Sequence, residues 1–135
     1  MTVIVTDTGF APDGWNENFT PLAEATNETE VLDVPSDTDP ADLKDRLESL
    51  RMVRVDFPSF ADGRGFTIAR QLRLMGYKGH LRARGHVIAD QYAMARRAGF
   101  DEVEINDDLA ERQPEDQWLD RADWQAHDYQ SRLRG

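Results

Sequence analysis

The sequence predicts an α/β domain: repeated βα units around a parallel sheet core, with a C-terminal helix and an irregular N-terminal arm. Three observations predict it. Strand-like runs EVLDVP, VRVDF, HLRAR and EVEI begin at residues 30, 53, 80 and 102. Each is followed by a stretch with helical periodicity, and their starts are similarly spaced, as parallel βα units require. At 135 residues and 39% hydrophobic content, the chain supports one core rather than two.

Residues 1–29 carry Gly9, Pro12, Gly14 and Pro21 between isolated apolar residues. They read as an irregular or hairpin-like arm, peripheral to the domain, with a short strand at Val3 to Val5. The α/β domain occupies 30–135. In its first helix Asp39 is the N-cap and Pro40 the first helical residue, and Leu43, Leu47 and Leu50 recur at helical spacing. The second helix buries Ile68, Leu72 and Met75, turns Arg70 and Arg73 elsewhere, and stops at Gly76. A third runs from about Val87 to Ala98 with Ile88, Tyr92 and Ala95 inward, and ends at Gly99. After Pro114 a last helix presents Leu119, Ala122, Ala126, Tyr129 and Leu133 on one face.

Charge is unevenly distributed. Residues 1–50 hold 2 bases and 12 acids, residues 51–100 hold 10 and 3, and residues 101–135 hold 4 and 11, within an overall net charge of -10. A basic island between acidic flanks reads as a local field for an anion or an acidic protein surface. The overall acidity argues against general nucleic-acid binding, which neutralises many phosphates. With no cysteine, the chain has no disulfide, thiol nucleophile or thiolate-held cluster. The N-terminus lacks a basic region followed by an apolar core, and no run reaches membrane-spanning length, so a cytoplasmic protein is expected.

Strand-to-helix loops of a parallel sheet emerge at the carboxyl edge, where such folds bind ligands. Two of them carry glycine and arginine: Asp62-Gly63-Arg64-Gly65 and Arg82-Ala83-Arg84-Gly85-His86. Glycines at a helix start let backbone N–H groups face an oxyanion, and arginine forks suit sulfite, sulfate, phosphate or carboxylate. The expected anion site comprises Gly63, Arg64, Gly65, Arg82, Arg84, Gly85 and His86, with Arg64 and Arg84 converging and Asp62, Asp90 and Gln91 in support. If Arg82 and Arg84 both stay in the strand they share a face, which favours Arg84 as the loop contributor. An equally good reading is a tight turn in which Arg64 pairs with Asp62. Ile68 stands where a dinucleotide fingerprint needs its third glycine, so no nicotinamide or nucleotide cofactor is expected. His80, His86 and His127 lack a metal-ligand spacing.

The runs FPSFADGRGFTIARQLR, GYKGHLRARGHVIADQ and AGFDEVEI, with the DYQ at Asp128 to Gln130, resemble the bacterial domain of unknown function 934 family. The resemblance covers roughly residues 30 to 130 and carries Asp62, Gly63, Arg64, Gly65, Phe66, Arg70, Leu72, Arg73, Arg82, Gly85, Asp90, Gln91 and Phe100. Members are commonly labelled oxidoreductases of sulfite reduction, which implies a role in sulfur assimilation and cysteine biosynthesis but assigns no catalytic residue. Sulfite reduction to sulfide needs a redox cofactor, for which this chain has neither cysteine nor fingerprint. The resulting expectation is an accessory protein acting with sulfite reductase or another sulfate-assimilation enzyme. It would carry no cofactor of its own and would use the basic island for docking or for a small oxyanion. The alternative is a small cofactor-free α/β enzyme with a phosphate or sulfite site. Neither nucleic acid nor membrane is an expected partner, and the oligomeric state stays open.

Overall fold

The structure is a computed structural model that describes residues 2–125. Its strands are β1 (Thr2–Thr6), β2 (Gly9–Ala11), β3 (Thr20–Pro21), β4 (Val31–Val34), β5 (Met52–Phe57), β6 (His80–Gly85) and β7 (Glu102–Asn106). They form one sheet in the order β2-β1-β7-β6-β5-β4-β3. From β3 to β7 the neighbours are parallel, while β1 runs antiparallel to both β7 and β2. The four expected strands are therefore present, and β4 to β7 lie side by side in chain order.

A 3-10 helix, Pro40–Arg46, connects β4 to β5, and α1 (Arg64–Leu74) connects β5 to β6. A short 3-10 turn, Ala89–Gln91, leads into α2 (Tyr92–Ala98) before β7. Strands adjacent in chain order with crossovers of one hand stack every connection on the same face. The core has that layout. Val53, Val55, Phe57, Leu81, Ala83, Val103 and Ile105 of the sheet meet Leu43, Ile68, Leu72, Tyr92 and Ala95 of the connections in one buried cluster.

Local signals behave as their chemistry dictates. The Asp39 carboxylate accepts from the Ala41 N–H ahead of Pro40. Gly99 ends α2 at φ 118, a left-handed geometry that side chains resist. At the amino edge Arg73 binds three carbonyls, those of Tyr77, Gly79 and Gly99, together with the Asp101 carboxylate. It thereby ties the end of α1 to the start of β6 and the end of α2.

Several features depart from expectation. The first 29 residues are more than periphery: β1 sits between β2 and β7, and Val5 is fully buried. Met75 is partly exposed because α1 ends at Leu74 and the chain turns away. Helix α3 (Asp107–Arg112), capped by the Asn106 side chain, precedes Pro114. Beyond Pro114 comes α4 (Glu115–Leu119), which buries Trp118 against Tyr92, and a turn follows it. Ala126, His127, the DYQ at Asp128 to Gln130 and Leu133 lie outside the described residues. Among the described residues no helix is long and apolar enough to cross a membrane.

Candidate functional site

Alternation along a strand sends successive side chains to opposite faces. With Val53, Val55, Phe57, Leu81 and Ala83 in the helix-covered core, Arg54, Asp56, Arg82, Arg84, Glu102 and Glu104 are left on the other face. Pairing register aligns Asp33, Arg54, Arg82 and Glu102 in one row, and Asp56, Arg84 and Glu104 in the next. Parallel strands usually read as continuous apolar runs, because helices cover both faces. Here one face is ionic.

Most of that face satisfies itself. Arg54 holds both oxygens of Asp33 at 2.9 and 2.7 Å and reaches Glu104 at 3.1 Å. Arg82, only 2% exposed, donates to Glu102 at 2.6 Å, Glu104 at 2.9 Å and Asp13 at 3.1 and 3.2 Å. Burial pushes the Glu102 carboxyl up, but the His80 hydrogen bond and the Arg82 charge outweigh it and hold the group below its ordinary value. Asp13 is likewise held low by Arg82 and the Trp15 N–H against the effect of burial. The N-terminal arm crosses this layer. Phe19 stacks 3.7 Å from the Arg54 guanidinium, and Glu17 pairs with Arg51.

Arg84 differs from its neighbours. Its nitrogens stand 3.5 Å from Asp56 and 3.5 Å from Glu104, close enough for attraction but without a hydrogen bond, and its side chain is 46% exposed. It borders a cleft of about 460 Å³ at the carboxyl ends of β4, β5 and β6. Pro21, Leu22 and Ala23 of the arm, with Pro35 after β4, form its apolar wall, and the last residue of β4, Val34, borders it with its side chain buried in the core. Asp33 and Asp56 are its other charged residues.

The loop residues have structural partners. Arg64 grips both oxygens of Asp62, at 3.0 and 2.7 Å, and donates to Ser36 at 2.9 Å. Asp62 also accepts the Arg64 backbone N–H, so a carboxylate of the chain itself sits at the start of α1 where an external anion would. Hydrogen bonds from Arg64 hold Asp62 far below the usual carboxylate range. Gly65 lets α1 lie on Phe57, since an added Cβ would fall 2.4 Å from that ring, whereas Gly63 has no such neighbour. Gly85 adopts φ 112 beside the Phe57 carbonyl. The His86 ring sits 3.2 Å from that same carbonyl and edge-on to Phe60. Gln91 donates to the Phe60 carbonyl and accepts from Ile88, and Asp90 pairs with Arg121.

The structure thus brings Arg82 and Arg84 to one face, because β6 continues to Gly85, and keeps Arg64 off the Arg84 cleft. Asp33, Glu104 and the arm residue Leu22 escaped the sequence reading of the site. The strict charge alternation in VRVDF, HLRAR and EVEI was the available signal for an ionic face. Among the described residues no group of three His, Asp or Glu side chains is arranged to hold a metal ion.

A family model described as a bacterial protein of unknown function (DUF934) matches residues 31–135. The chain belongs to the DUF934 family. No curated protein and no solved structure matches it. The DUF934 match takes in β4 to β7, and with them Arg82, Arg84, Asp56 and Glu104. It begins after the arm that supplies Asp13, Phe19 and Leu22.

Proposed function

We propose that this DUF934 protein is an accessory component of assimilatory sulfite reduction, binding at the carboxyl edge of its sheet and acting with sulfite reductase. The sulfite part rests on the resemblance of the sequence to proteins carrying that label. The binding part rests on one observation. Arg64, Arg82, Asp62 and Asp90 are all closely paired within the chain, while Arg84 stands without a hydrogen bond beside an open cleft. A guanidinium, a carboxylate and an apolar wall make a recognition surface for a negative group on a ligand or partner. Exposed Phe60 on the neighbouring loop, 41% accessible, offers the aromatic contact that protein docking favours.

Affinity isolation from cells grown on sulfate as sole sulfur source tests this reading. Sulfite reductase enriched over an unrelated bait supports it, and its absence under gentle, low-salt conditions overturns it.

A further inference from the structure

We propose that the Arg84 cleft binds a free α-amino acid with an apolar side chain, its carboxylate on Arg84 and its ammonium on Asp56. This rests on the reading above only in taking the carboxyl edge as the functional edge.

Charge balance within the cleft carries the argument. Both oxygens of Asp33 are taken by Arg54, so that carboxylate is compensated. What remains is Arg84 and Asp56, paired across strands in register, 46% and 40% exposed, and 3.5 Å apart without a hydrogen bond. A small oxyanion would satisfy Arg84 but place a second negative charge beside Asp56 and the buried Glu104 carboxylate, which already lies 3.5 Å from Arg84. A simple cation would satisfy Asp56 and be repelled by Arg84. A zwitterion with both charges on one carbon meets the two groups together and leaves neither sign unbalanced.

The remaining wall fixes the side-chain class. Pro21, Leu22, Ala23 and Pro35 supply an apolar surface, and about 460 Å³ lies within the range of small-molecule sites. That wall is held in place. Thr20 and Pro21 pair with Leu32 and Asp33, which anchors the arm turn beside β4 before any ligand arrives.

Calorimetric titration of the full chain with leucine, isoleucine, valine, methionine and phenylalanine tests the proposal. At least one should bind saturably. Its amide, which lacks the carboxylate, and its N-acetyl form, which lacks the ammonium, should each bind at least about tenfold more weakly, as loss of one charge-assisted hydrogen bond implies. Arg84→Ala and Asp56→Asn should give the same loss with unchanged circular dichroism. The ligand analogues decide the matter even if a variant misfolds. No binding by any of the five, or sulfite binding as tightly as the best of them, overturns the proposal. Recovery of sulfite reductase is read separately, so amino-acid binding without partner recovery sinks only the accessory role, and partner recovery without amino-acid binding sinks only this site.

Discussion

At the scale of single residues, similar side chains have opposite consequences according to what surrounds them. Removing the Arg82 side chain takes the shared cation from Glu102, Glu104 and Asp13 and leaves Glu102 with His80 and Glu104 with Arg54 beside a buried gap, so Arg82→Ala should lose roughly 3–5 kcal/mol in denaturant unfolding. Arg84→Ala removes two loose contacts at the surface and should stay within about 1 kcal/mol of wild type. The glycines of the 62 to 65 loop separate in the same way. Gly65→Ala forces a methyl into the Phe57 ring and should cost about 1–3 kcal/mol. Gly63→Ala has room and a negative φ, so its effect should be under about 0.5 kcal/mol. Equal midpoints for the two glycine variants would mean that α1 does not lie on Phe57 as described.

At the scale of elements, β4 to β7 were legible because each is a short strand-like run followed by a stretch of helical periodicity. Asp39-Pro40, Gly76 and Gly99 marked the ends of connections for local reasons that hold in any context. Two things were not legible. One of the two neighbours of β1, β7, lies about a hundred residues away, and such long-range pairing leaves no local trace in a five-residue strand. The second is Arg73, whose three carbonyl partners come from turns that meet only when α1, β6 and α2 have packed. The planar fork of arginine satisfies these groups together and a lysine cannot. Arg73→Lys should therefore destabilise nearly as much as Arg73→Ala, by about 2–3 kcal/mol. Thermal unfolding of both variants checks this, and full rescue by lysine would show that charge alone matters there.

Across the whole molecule, the basic middle segment and its acidic flanks are complementary parts of one fold. Arg51, Arg54, Arg73, Arg82 and Arg96 pair with Glu17, Asp33, Asp101, Glu102 and Asp7 from the flanks. The segment charges pointed to a docking field, whereas much of that charge is neutralised within the sheet face and its edges. Among the described residues lining the carboxyl-edge cleft, Arg84 is the one cation, and it is loosely held. The same pairing sets the response to acid. Burial raises the Asp7, Asp13 and Glu102 carboxyls, but hydrogen bonds and arginine charges outweigh it, so all three lie below their ordinary values of 3.8, 3.8 and 4.5. A depressed folded-state value contributes stability that is complete above the ordinary value and is lost as pH falls through the folded one. Melting temperature should therefore be level from neutral pH to about 5 and drop steeply below about 4. A flat profile to pH 3 would contradict the ionic layer as a stabilising element.

Sulfite reductase is proposed to meet this protein at the carboxyl edge of the sheet. Affinity isolation from sulfate-grown cells, comparing wild type with a Phe60→Ala, Arg84→Ala double variant, measures that directly, because both side chains are exposed and neither supports the core. Sulfite reductase is expected on the wild-type bait, with recovery reduced at least about tenfold on the folded variant. Equal recovery on both baits would place the contact elsewhere on the molecule, and no recovery on either would contradict the accessory role.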